Sequence, residues 1–215
     1  MQQLKALTEN FHSSEIEWRL GRKMGGSHQA LAYVDARAIQ KRLDDVVGAD
    51  NWYDDYQPCQ SGILCRLSIR FDNLGFITKC NGSPETNIEA FKGGLSKAFV
   101  RVASNWGIGR YLYGLKGYMA IPTQGGKYWA KDLGAWNPPG LPFWALSRPE
   151  QVEVTIIERM NALLKTGLEL SAIKTCIQED LGLTFNSSKE LLSSDIETLI
   201  KVDEYLGELC GKNIR

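Results

Sequence analysis

The most restrictive stretch of this chain is residues 62–71, GILCRLSIRF. Ile63, Cys65, Leu67, Ile69 and Phe71 alternate with Arg66, Ser68 and Arg70. A strand has a side-chain period of two, so this pattern puts the first set on one face and both arginines on the other. Such a strand needs neighbours for its backbone and a second layer over its apolar side. The flanking runs NWYDDYQP and GFITKC are rich in β-formers, and Gln-Pro, Ser-Gly and Asp-Asn-Leu-Gly punctuate the segment. The expectation is an antiparallel meander of three strands with one basic face.

The covering layer follows in sequence. Ile88, Phe91, Leu95, Phe99, Val102 and Trp106 form a narrow stripe at helical spacing. Ser83 is the predicted N-cap, with Pro84 at the first helical position and Glu85 at the positive end of the dipole. Lys97 and Arg101 fall on the opposite side, near Gly93 and Ser104. Each glycine of Gly93-Gly94 costs a helix about 1 kcal/mol relative to alanine. Tolerating both implies close approach by another backbone, a neighbouring subunit or a ligand. Trp106 and Gly107-Ile108-Gly109 should end the helix and turn the chain toward Arg110 and its tyrosines. Upstream, Ala36, Ile39, Leu43 and Val46 predict a helix that stops at Gly48.

Residues 107–145 are rich in glycine, proline and aromatics, which predicts a short strand or two and long ordered loops. Beyond them SRPE and SDIE read as capping boxes, Ser147 with Glu150 and Ser194 with Glu197. The predicted fold class is α+β: a β-meander packed on a long helix, then a small helical unit. The predicted division is 1–146 and 147–215.

Composition bounds the function. Nothing approaches the roughly 18 consecutive apolar residues of a membrane span, and the N-terminal segment lacks the apolar core of a signal peptide. A cytoplasmic location is expected. Five cysteines without a Cys-x-x-Cys pair predict reduced, scattered thiols and no zinc site. The zero net charge hides an asymmetry: residues 1–145 carry 17 basic and 13 acidic side chains, and residues 146–215 carry 8 and 12.

Three kinds of site come into question for these residues. A phosphate loop is disfavoured: there is no G-x-x-x-x-G-K-[ST], and the Gly-Ile-Gly turn follows a helix. Paired carboxylates, Asp44-Asp45 and Asp54-Asp55, lack the geometry for metal catalysis. The first pair lies one turn from Lys41, and the second points to opposite faces of a strand. The third candidate is a groove for a single strand of nucleic acid. Arg37 and Lys41 share one helix face, Arg66 and Arg70 one strand face, Lys97 and Arg101 another helix face. Cations spread along a track suit a phosphate backbone. Each pair alone reads as a solvated face. The aromatics offer stacking platforms, although most read as core or subunit interface. An oligomeric scaffold whose basic faces make subunit contacts remains the alternative.

Two ordered blocks add to this reading, YVDARAIQKRLDDVVGADNW (33–52) and KGGLSKAFVRVASNWGIGRYLY (92–113). Over roughly residues 14–146 the chain resembles the single-strand annealing proteins related to eukaryotic Rad52, closest to the bacterial and phage branch that includes Sak and DdrA proteins. The resemblance implies a β-β-β-α core and assembly into rings or helical arcs. It implies single-stranded DNA held phosphate-inward in a groove and annealed without ATP, in recombination or repair in a bacterial or phage-infected cell. No enzyme activity, cofactor or metal is implied. The family's helix arginine falls on Arg37. Its Lys-Arg pair falls on Val100 and Arg101, so one position matches and one departs, with Lys97 a turn earlier as a possible substitute. Lys92 matches a basic position at the helix start. The expected DNA-binding set is therefore Arg37, Lys41, Arg66, Arg70, Lys92, Lys97, Arg101 and Arg110. The partners expected are single-stranded DNA, further copies of the chain, and other recombination proteins through the C-terminal unit.

Overall fold

The computed structural model describes residues 2–24, 27–60, 62–71, 74–84, 90–115 and 140–213. They divide into two compact units, residues 1–145 and 146–215.

In the first unit a short helix, α1 (Gln2–Leu7), precedes a hairpin of β1 (Glu17–Met24) and β2 (Ser27–Tyr33). Sequence periodicity did not predict this hairpin. Arg19, Arg22 and Lys23 dilute the alternation of β1, and the usable signal was Gly25-Gly26 between two strand-length runs. Helix α2 (Ala36–Val47) is capped by Asp35, whose carboxylate accepts from Ala38 N at 2.8 Å. Its Ile39, Leu43 and Val47 are buried, and Gly48 ends it at φ +89°.

The meander is present as expected. β3 (Trp52–Cys59), β4 (Gly62–Phe71) and β5 (Gly75–Pro84) form an antiparallel sheet with β4 in the centre. Ile63, Cys65, Leu67 and Ile69 are at most 3% exposed. Helix α3 (Ala90–Asn105) packs across β4 and β5 on that face. Phe99, Val102 and Trp106 dock there, and Trp106 Nε1 donates to Leu67 O at 3.2 Å. The stripe positions Ile88 and Phe91 lie outside what is described of side chains.

The predicted start of this helix requires correction. Ser83 and Pro84 belong to β5, paired with Ile63 and Gly62, and α3 begins at Ala90. The pairing with β4 runs the whole length of β5, and a proline is tolerated at the end of an edge strand, where its missing N–H leaves no ladder bond unmade. Glu85 lies outside the described residues. The glycine reading also changes. A Cβ on Gly94 would sit 3.1 Å from Ile63 Cδ1, so the helix approaches the sheet's own side chain there.

The helix ends where the Gly-Ile-Gly turn predicts. Gly107 (φ +95°) and Gly109 (φ +65°) adopt left-handed backbone. They lead into a 3-10 turn, Arg110–Gly114, with Leu112 and Leu115 buried. The strands and loops expected between 116 and 139 lie outside the described residues.

The second unit has its own core. α4 (Arg148–Lys165), α5 (Leu170–Leu181), α6 (Ser188–Leu192) and α7 (Ile196–Asn213) bury Ile156, Leu163, Ile173, Ile177 and Val202. The box at Ser147 and Glu150 is formed, with Ser147 N and Oγ both donating to Glu150 Oε2. The second box is not. Asp195, next to the first residue of α7, accepts from Thr198 N at 2.9 Å and Thr198 Oγ1 at 2.7 Å. An aspartate one residue closer to the helix replaces the predicted Ser194 cap. No helix among the described residues is long and apolar enough to cross a membrane.

Candidate nucleic-acid interface

The C-terminal end of α3 is where cationic side chains converge. The last carbonyls of a helix carry partial negative charge and lack intrahelical donors. Asn105 O receives Lys79 Nζ at 2.9 Å and Arg110 Nη2 at 2.6 Å. Arg110 Nε donates to Ser104 O at 2.6 Å. The Lys79 ammonium also lies 4.4 Å from the centre of the Trp106 ring, which fixes it between strand and helix. One turn back, Arg101 Nη1 donates to Gly82 O at 2.9 Å. Asn81 and Asn105 knit strand to helix: Asn81 Nδ2 donates to Arg101 O at 3.2 Å, and Asn105 Nδ2 donates to Cys80 O at 3.0 Å.

These contacts build the walls of an open cleft of about 540 Å³, lined by Asn81, Arg101, Ser104, Asn105, Arg110 and Tyr113. No carboxylate lines it among the described residues. Arg101 and Arg110 are exposed, and each has guanidinium N–H groups left over after its carbonyl contacts. Chemically this is a cradle for an anion: fixed amides, two guanidinium groups and no competing acid.

The predicted cations divide around it. Arg101 and Arg110 meet in the cleft. Lys97 is exposed one turn before Arg101 on α3. Val100, the departure from the family pair, is half-buried against the core, so its side chain serves packing. Arg37 is exposed on α2. Lys41 is held by Asp45 at 2.5 Å, while Asp44 accepts from Trp52 Nε1 at 2.7 Å instead of pairing with Lys41. The side chain of Lys92 lies outside the described residues.

Arg66 and Arg70 stand on the face where the alternation puts them. Both are exposed on β4, on the face turned away from α3, so they do not share a groove with Arg101. The reason is the alternation itself: Leu67 and Ile69, between them, pack under the helix. The register also sets Asp55 opposite Arg66, and the two pair at 3.3 Å. Ser68, between the arginines, is buried and hydrogen-bonded to Thr78. This basic face is therefore partly neutralised.

Sequence reasoning missed Asn81, Asn105 and Lys79 here, and placed Tyr113 only among the tyrosines that with Arg110 would form wall or interface. No charge pattern marks the two asparagines, and tertiary contact alone brings them together. It also missed Arg19, Arg22 and Lys23, which stand exposed on β1. Among the described residues no cluster of His, Cys, Asp or Glu could hold a metal ion. The cysteines described are free thiols. Burial pushes the Cys65 thiol up to about 12, which keeps it protonated.

Comparison with known proteins agrees with this architecture. The single-stranded DNA-binding protein DdrA of Deinococcus radiodurans is 33% identical over 149 residues, covering 68% of this chain and 67% of that protein. DdrA of Deinococcus deserti is 32% identical over 157 residues, covering 68% and 70%. A family model described as Rad52/22 family double-strand break repair protein matches residues 1–125, a span that contains the hairpin, the meander, α3 and the cleft. The chain is accordingly a member of the Rad52/22 family.

Proposed function

We infer that this protein binds single-stranded DNA and anneals complementary strands without ATP, as part of recombination or repair. The observation that carries the reading is the acid-free cleft at the end of α3, where Arg101 and Arg110 present unspent guanidinium donors. The similarity to proteins named for single-stranded DNA binding supports the choice of ligand. The work done is physical. Guanidinium groups replace the counterions of the phosphates, and their release drives binding with little regard to sequence. A strand held by its backbone keeps its base edges available, and duplex formation supplies the driving force for annealing. Residues 1–145 would carry this activity in a homo-oligomer, ring or arc. The acidic helical unit would contact other recombination proteins.

The test is fluorescence-detected annealing of two complementary oligonucleotides without nucleotide, using wild type, Arg101→Ala and Arg37→Ala over a salt series. Acceleration by the wild type, lost in the folded Arg101→Ala variant, is the expected result. An intact oligomer that accelerates nothing would overturn the annealing reading.

A further inference from the structure

We propose that Tyr113 is the base-stacking residue of the cleft, so that each protomer grips one nucleotide by ring face as well as by phosphate. This rests on the single-strand reading above and adds to it a residue outside the basic set.

The geometry starts with the 3-10 turn. Its period is three residues, so side chains at i and i+3 eclipse. Arg110 and Tyr113 stand in that relation, and Leu112 and Leu115 occupy the buried side. Arg110 is pinned to the end of α3 by its two carbonyl contacts. Tyr113 is thereby carried to the same cleft, where it is 56% exposed. The neighbouring tyrosine is used differently: the Tyr111 hydroxyl accepts from Phe11 N at 3.0 Å and packs against the core.

Among the described residues, three other exposed rings have close neighbours. Tyr53 and Phe76 lie edge to face at 5.1 Å, and Trp144 packs over Gly114. A lone exposed aromatic is ordinary on a protein surface. An exposed ring beside two guanidinium groups, in an acid-free cleft, matches the two halves of a nucleotide: a flat π-face and an anion. Stacking occupies the face of a base and leaves its pairing edge free, which is the condition annealing requires.

The experiment measures affinity of the full-length protein for a labelled oligonucleotide and for an abasic strand of equal length. Wild type, Tyr113→Phe and Tyr113→Ala are compared, each with its melting curve and oligomeric state. Wild type and Tyr113→Phe are expected to prefer the base-bearing strand by roughly tenfold, the effect of one aromatic–base stack. Tyr113→Ala should lose that preference while its salt slope stays that of the wild type. Equal loss on both strands would make Tyr113 a subunit-contact residue and overturn the proposal. So would unchanged binding by Tyr113→Ala, with the single-strand reading left standing. Wild type that binds neither strand overturns that reading itself, and this one with it. Displacement of the oligonucleotide by dTMP at equal nucleotide concentration would assign the cleft to free nucleotide instead.

Discussion

Arg110 and Arg101 share a cleft but differ in how much the fold depends on them, and the Arg110→Ala substitution exposes the difference. Arg110 makes two charge-assisted hydrogen bonds of 2.6 Å to the last carbonyls of α3. Neither carbonyl is orphaned by its loss, because Gly107 N still reaches Ser104 O at 3.0 Å and Lys79 still reaches Asn105 O. The cost is therefore that of two exposed bonds and a dipole contact, about 1–2 kcal/mol in all. At this chain length each kcal/mol lowers the midpoint by roughly 2–4 °C, so a fall of about 2–8 °C is expected in thermal unfolding followed by circular dichroism. Arg101→Ala loses one exposed bond and should move the midpoint by about 2 °C or less. An Arg110→Ala midpoint within a degree of the wild type would refute the anchoring role, and with it the argument that Arg110 holds Tyr113 in place.

Other expectations are simpler. Arg101→Ala should flatten the dependence of log affinity on log salt by about 0.7, one phosphate contact on a single strand, whereas Arg66→Ala, on the opposite face and paired with Asp55, should leave the slope unchanged; titration by fluorescence anisotropy reads both. Gly107→Ala should destabilise by about 2 kcal/mol or more in chemical denaturation, since the position has φ +95° and a Cβ would meet Thr8 Cγ2 at 2.5 Å. The carboxyl of Asp195 is held below its ordinary value, chiefly by the Thr198 hydroxyl. Its contribution is therefore complete above the unfolded-state pKa and is lost as pH falls through the lowered folded value. The melting gap between wild type and Asp195→Ala should be widest at neutral pH and close in acid. In native protein at pH 8, Cys59 and Cys80 should react with a thiol reagent, while Cys65, buried and raised to about 12, should stay silent until unfolding.

Much of the first unit is local in origin, and local patterns are what a sequence displays. The alternation in β4 dictates a half-buried strand, and the stripe through Phe99, Val102 and Trp106 dictates the helix face that covers it. Gly107 and Gly109 stop that helix because only they adopt its left-handed exit at little cost. The hairpin was hidden because its exposed strand carries charges that blur a period of two. The caps at α3 and α7 were misjudged for a related reason. Several residues near a helix start can serve as caps, and the choice falls to whichever backbone is not already committed, as that of Ser83 is to β5.

The cleft itself belongs to the tertiary structure. Asn81, Arg101, Arg110 and Tyr113 come from β5, α3 and the turn beyond it. They meet only because the helix crosses the sheet with its C-terminus over β5. Charge counting found the arginines but could not say which share a surface. The alternation turns Arg66 and Arg70 away from the apolar face, but only the strand register sets Asp55 against Arg66, and only the crossing of α3 brings Arg101 to Arg110. Sequence determined which faces are apolar, since hydrophobic burial acts on each element's own periodicity. Only the packing of one element on another decided which polar groups face each other, because that depends on register and crossing, which no single element encodes.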